Sequence, residues 1–184
     1  MKIIETEIPG LLIVEPTVFE DHRGYFFESF HLQRYEEFGI TAEFIQDNES
    51  KSDRGVVRGL HYQLNPFAQA KLVRVVLGAV YDVALDLRVG SPTYGKWFGI
   101  ELNETNKRQL FVPRGFAHGF SVLSETAVFS YKCDNVYNKE AERAINPFDP
   151  QLGIDWQLNE TEWKVSDKDR IAPILTDAEV NFSF

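Results

Sequence analysis

Two histidines, two cations and a tyrosine stand in this chain where short apolar runs can bring them into one interior. His61 sits in the stretch Gly55–Arg74, with Arg58 just before it and Lys71 after it, and His118 sits in Phe116-Ala-His-Gly-Phe120. Both runs read as strands, and two inward histidines from different strands can face one cavity. There an imidazole is a general acid or base near neutral pH. Lys71 shares a period-two face with Val73, Val75 and Leu77, which sets an ammonium at the mouth of an apolar pocket. Tyr131 shares a face with Ala127 and Phe129, so its hydroxyl can point inward. A tyrosine with a pKa of about 10 is a poor acid, and a neighbouring cation would help it by favouring the phenolate.

Each residue also has a plainer reading. A lone histidine on an apolar face is more often packed than catalytic, and strict alternation gives His61 the face of Val57 and Gly59. Lys71 can end a strand and snorkel to water. A carboxylate that fixes the imidazole would complete a proton-transfer pair, and Ser166-Asp-Lys-Asp-Arg170 offers Asp167 and Asp169. On spacing alone those acids read as a solvated charged loop. Metal binding is the main competing chemistry, but Gly59 and Gln63 flank His61 where a His-x-His pair would stand. His22 and His31 fall in a turn and at a helix start, so the cavity is expected to hold no metal.

The chain must place these groups with a single domain of 184 residues, 43% hydrophobic and 26% charged. Its net charge of −9 argues against nucleic-acid binding, which needs a basic face. From Asp134 onward 11 acids face 5 bases, so that segment carries −6 and the rest −3. A single cysteine, Cys133, fits a reducing compartment. Met1 to Glu7 has no apolar signal core, and no run reaches the roughly 20 apolar residues of a membrane span. A cytoplasmic protein with no membrane partner is expected.

Strand signals recur at Leu11–Phe19, Tyr25–Phe30, Phe44–Ser50, Val56–Gln63, Leu72–Leu77 and Val80–Leu87. They continue at Thr93–Leu102, Gln109–Val112, Phe116–Leu123 and Ala127–Cys133. Leu72–Leu77 and Val80–Leu87, joined by Gly78-Ala79, predict a hairpin. Helix signals are confined to Leu32–Phe38 and a short helix near Thr176–Glu179. Many short strands with little helix predict an all-β antiparallel sandwich or barrel, and a jelly roll fits the number. From about residue 150 periodicity is lost, and the acidic tail with Trp156 and Trp163 is expected to wrap the barrel.

Several motifs follow one another along the chain: Asp21-His-Arg-Gly-Tyr-Phe-Phe-Glu28, Gln46-Asp-Asn48, Arg58-Gly-Leu-His-Tyr-Gln63 and Ala68-Gln-Ala-Lys-Leu-Val73. Pro113-Arg-Gly-Phe-Ala-His-Gly-Phe120, Tyr131-Lys132, Asp149-Pro150 and Ser166-Asp-Lys-Asp169 complete the set, over about residues 10 to 175. Taken in order, these motifs resemble the dTDP-4-dehydrorhamnose 3,5-epimerase family. The resemblance implies a cupin-type jelly roll, a homodimer and no metal or organic cofactor. It also implies a dTDP-4-keto-6-deoxy-D-glucose substrate, whose C3 and C5 protons are acidified by the C4 carbonyl.

By that resemblance His61 removes the protons, Asp169 orients it, Lys71 stabilises the enolate oxygen and Tyr131 returns a proton from the opposite face. Arg23, Glu28, Gln46, Asn48, Arg58, Lys71, His118, Glu142 and Lys168 are implied to bind the nucleotide-sugar, with Arg23 reaching across the dimer. Arg58 and Arg23 suit a diphosphate, because guanidinium meets phosphate oxygens bidentately. The chain departs from the family where Ala144 replaces a usual Gly and Pro147-Phe148 stands near a usual Trp. A relative that inverts C5 or C3 alone would share these motifs. A metal-dependent cupin oxygenase or a non-catalytic cupin are the remaining readings.

Overall fold

The computed structural model describes residues 1–184 and is built almost wholly of strand. In chain order β1 (Lys2–Glu5), β2 (Leu12–Glu15), β3 (Phe19–Asp21) and β4 (Gly24–Phe26) precede α1 (Leu32–Glu37). Next come β5 (Gln46–Asp53), β6 (Val56–Gln63), β7 (Lys71–Leu77), β8 (Ala79–Asp86) and β9 (Trp97–Asn103). β10 (Gln109–Val112), β11 (Phe116–Val122), β12 (Thr126–Cys133), β13 (Glu142–Ala144), β14 (Lys164–Val165) and α2 (Asp167–Arg170) complete the order.

One sheet runs β1-β2-β10-β7-β12-β5 and the other β13-β6-β11-β8-β9, with β14 parallel to the free half of β6. β3 and β4 form a separate hairpin. This is the all-β jelly roll expected, with two short helices.

Three apolar layers follow from strand alternation. Val73, Val75, Val80, Ala84, Phe116, Phe120 and Phe129 fill the space between the sheets. The alternate residues Val57, Tyr62, Val83, Leu85 and Ala117 face outward from the second sheet. They are covered by Leu152, Trp156 and Phe182 from the tail. Tyr35 on α1 and Ile40 cover Val14, Leu72 and Phe111 outside the first sheet. Trp156 is 1% exposed, its indole N–H donating to Pro147 O at 2.8 Å. Burying such a ring contributes on the order of 2–3 kcal/mol.

The predicted hairpin between β7 and β8 does not form. β7 pairs with β10 and β12, while β8 pairs with β9 and β11 in the other sheet. Gly78, at φ +77°, turns the chain through a corner so that Val75 and Val80 meet across the core instead of side by side. A Cβ there would come 2.1 Å from Thr126 O, so only glycine fits.

Other boundaries moved for local reasons. The first long strand ends at Glu15 because Pro16 has no N–H to donate. Of the predicted Tyr25–Phe30 run only the start is strand. The strand expected from Thr93 starts at Trp97, after the turn that begins at Pro92. The short helix predicted near Thr176–Glu179 is a single 3-10 turn over Leu175–Asp177.

Candidate active site

β6 carries the first two groups, and its phase changes midway. His61 lies directly across from His118 and Arg58 from Phe120, so β6 spends one residue more than β11 between the two pairings. That bulge falls at Gly59, with φ +121°. A Cβ on Gly59 would lie 2.6 Å from Gly119 Cα. Val57 therefore packs under the tail, whereas Arg58 and His61 both line one cavity. The expectation that His61 shares the face of Val57 is corrected; alternation does not survive the bulge.

The cavity, about 250 Å³, is lined by Arg58, His61, Lys71, His118, Phe120, Phe129, Tyr131 and, from β5, Asn48 and Ser50. A larger groove of about 880 Å³ lies between β1–β2 and the end of α1, but no histidine or lysine lines it. The groups whose chemistry could transfer a proton, His61, His118 and Tyr131, line the smaller one.

His61 Nε2 lies 2.7 Å from Asp169 Oδ1. Asp169 is 3% exposed, so the solvated-loop reading of that acid is overturned, while Asp167 stays exposed. The local cause is α2: Ser166 caps it by accepting the Asp169 N–H at 3.1 Å, and β14 pins the preceding residues to β6. Gly59 N–H donates to Asp169 Oδ2 at 3.4 Å. Burial pushes the Asp169 carboxyl up, but the hydrogen bond and charge of His61 and the Gly59 N–H outweigh it and hold the carboxyl below its ordinary range.

Lys71 makes no hydrogen bond or ion pair to the protein, and its Nζ lies 5.9 Å from the centroid of Tyr131. Burial lowers its pKa, opposed by Cys133, Asp82 and Glu142. It faces the cavity instead of snorkelling to bulk water. Tyr131 departs from expectation: burial, reinforced by Cys133, raises its pKa against the pull of Arg58. The phenol is therefore held protonated, as a donor, and not poised as phenolate.

His118 is 7% exposed, with Nε2 3.0 Å from each oxygen of Asp82. Arg58 Nε donates to Ser52 Oγ at 3.2 Å. Gln46 Nε2 donates to Asn48 Oδ1 at 3.0 Å, and Asn48 Nδ2 reaches Cys133 Sγ at 3.8 Å.

Glu142 on β13 accepts from Lys168 Nζ at 2.6 Å and from Tyr137 OH at 3.1 Å. Burial pushes the Glu142 carboxyl up, but Lys168 and Tyr137 hold it below its ordinary range. Lys168, Lys164 and Asp169 line a second recess of about 280 Å³ that shares Arg58 and His61 with the first.

Arg23 and Glu28 do not reach this cavity within one chain. Arg23 lies on the exposed β3–β4 turn with its guanidinium on Asp21, and Glu28 accepts from Arg34 at 3.0 Å. Of the departing positions, Ala144 lies directly across from His61, and Phe148 stacks on Trp163 at 4.2 Å between ring centroids.

Sequence reasoning missed Asp82. Its signal was available: a carboxylate inside Val80-Tyr-Asp-Val-Ala-Leu85 must have a buried partner. Ser52 and Cys133, which touch Arg58 and Asn48, gave no such signal.

Residues 5–177 match the model of the dTDP-4-dehydrorhamnose 3,5-epimerase family. The dTDP-4-dehydrorhamnose 3,5-epimerase of Shigella flexneri is 53% identical over 182 residues, covering 98% of this chain and 94% of its own. The crystal structure of the enzyme of that name from Elizabethkingia anophelis superposes with a TM-score of 0.93 at 54% identity, covering 96% of this chain and 97% of that one. A Legionella pneumophila dTDP-6-deoxy-D-glucose-3,5-epimerase, solved in complex with dTDP-4-keto-L-rhamnose, gives 0.92 at 52% identity, covering 96% and 93%.

Proposed function

This chain belongs to the dTDP-4-dehydrorhamnose 3,5-epimerase family, and we propose that it inverts C3 and C5 of dTDP-4-dehydro-6-deoxy-D-glucose to give dTDP-4-dehydro-L-rhamnose. The observation that carries the site assignment is the 2.7 Å contact of His61 with buried Asp169, on a cavity that also holds Lys71 and Tyr131.

His61 takes the proton from the carbon beside the C4 carbonyl, and the electron pair moves onto the carbonyl oxygen as an enolate. Asp169 holds the ring and offsets the imidazolium charge. Lys71, free of any carboxylate partner, meets the enolate oxygen, where a fixed cation is worth most. Tyr131 delivers a proton to the opposite face, and its raised pKa keeps that proton on the hydroxyl until it is needed. Proton transfers balance this scheme without any metal or organic cofactor.

A cavity of about 250 Å³ falls short of the roughly 300–1,000 Å³ that buries a larger ligand. It suits the sugar ring, with the nucleotide lying outward along Arg58, Asn48, Gln46, Glu142 and Lys168. We infer that residues 1–184 act as one unit in the cytoplasm and work as a homodimer, the partner's β3–β4 turn bringing Arg23 and Glu28 to the diphosphate side. The exposed Phe19, Tyr25 and Phe26 of that hairpin support this reading.

The test is NMR of dTDP-4-keto-6-deoxy-D-glucose with the protein in heavy water. Deuterium at both C3 and C5, with the L-lyxo product trapped by a reductase, is the expected result. Label at one carbon reduces the activity to a single-site epimerase; none at either overturns the proposal.

A further inference from the structure

The cavity holds a second imidazole–carboxylate pair, and its carboxylate has no role in the scheme above. Asp82 is 0% exposed and sits on β8 opposite Phe120, two residues along the ladder from the Ala84–His118 pair. Both its oxygens reach His118 Nε2. The imidazole is also held by its ring, which stacks on Phe129 at 6.1 Å between centroids. Phe129 in turn stacks on Phe120 at 4.3 Å. Nδ1 makes no hydrogen bond to the protein, while the ring lines the cavity.

A carboxylate can only accept here, so Nε2 carries a proton, and in the neutral ring Nδ1 keeps its lone pair. An acceptor on that wall meets a donor, and the donors a keto-sugar offers are its ring hydroxyls.

We infer that Asp82 is a specificity-determining positioning residue: it fixes the tautomer of His118 so that Nδ1 accepts a hydrogen bond from a hydroxyl of the sugar. This rests on the sugar-nucleotide reading proposed above. A buried acceptor left without its donor is costly, so such a site discriminates strongly against an analogue lacking the hydroxyl. In Asp82→Asn the amide NH2 donates to Nε2, the proton moves to Nδ1, and the acceptor becomes a donor.

The experiment compares deuterium exchange at C5 in the dTDP-4-keto-6-deoxy sugar and its 2-deoxy and 3-deoxy analogues. Wild type is expected to favour the parent over one analogue by about 10² or more in kcat/KM. Asp82→Asn is expected to lose activity on the parent and to shrink that ratio to within about tenfold. A purely structural role would lower all three rates together, and an unchanged ratio overturns the inference.

Should Asp82→Asn fail to fold, 15N NMR of histidine-labelled wild type decides, with His118 assigned through His118→Gln. Protonated Nε2 with an unprotonated Nδ1 whose shift moves on adding the sugar nucleotide supports the inference, and a protonated Nδ1, in the neutral ring or the imidazolium, overturns it. Absence of exchange by wild type on the parent would instead sink the epimerase reading itself.

Discussion

Arg58 and His61 stand an odd number of residues apart on one strand, yet both enter the same cavity. In an unbroken strand they would point to opposite faces of the sheet. The extra residue at Gly59 reverses the phase, and its N–H is spent on Asp169. One backbone irregularity thus aligns Arg58, His61 and Asp169, the proposed phosphate contact, the proposed base and its partner.

Gly59→Ala tests that arrangement. The new methyl meets Gly119 Cα at 2.6 Å and forces a left-handed residue to carry a side chain. A loss of about 1–3 kcal/mol or more is expected, seen as a Tm several degrees lower, with exchange activity falling further than stability does. A variant as stable and active as wild type would refute the role given to the bulge.

His61→Ala should abolish deuterium incorporation at both carbons, a loss of at least about 10²–10⁴ for a general base. Asp169→Asn, which leaves the ring without its anionic partner, should lower incorporation at C3 and C5 together while the far-UV CD spectrum stays that of wild type. Unequal effects at the two carbons would mean that His61 does not serve both.

Tyr131→Phe separates the two proton transfers. Incorporation by His61 should persist on the face from which it removes the proton, while net inversion drops. Inversion at the wild-type rate would remove Tyr131 from the acid role.

The acid limb of stability carries the mark of Asp169. Its folded pKa lies below the ordinary value of 3.8, so the unfolded chain binds the proton first as pH falls. The stabilisation is present above 3.8 and is lost as pH drops through the folded value. Denaturant melts from pH 5 to pH 2 should therefore show wild type losing stability more steeply than Asp169→Asn; parallel curves would contradict the assignment.

Subunit mixing tests the proposed dimer. Arg23→Ala and His61→Ala should each be inactive alone. Unfolded and refolded together, they should recover about a quarter of wild-type activity, since half the dimers are mixed and one site of each is whole. No recovery would mean that Arg23 does not act across the interface.

Much of this was legible in the sequence because it rests on alternation and turn chemistry. β6, β7, β11 and β12 lie within a residue of their predicted bounds, and Lys71, Val73 and Val75 share the inward face as period two requires, whereas Leu77, past a register irregularity against β12, is 43% exposed. The parts that were not legible depend on contacts distant in the chain. Nothing near Gly78 distinguishes a hairpin turn from a corner between sheets; the choice is made by β10 and β12 flanking β7. Asp169 reads as solvated until β14 and the Ser166 cap dock it against a strand more than a hundred residues earlier. The raised pKa of Tyr131 depends on burial, which no local pattern sets.

The tail that shields the outer face of the second sheet is the same segment that brings Asp169 to His61. Every transient lifting of that cover then also disconnects the proton-transfer pair. Turnover becomes a gauge of local opening: conditions that loosen residues 150–184 should silence the protein before the sheets themselves melt. The fraction of molecules working at a given temperature would then measure the free energy holding the cover down.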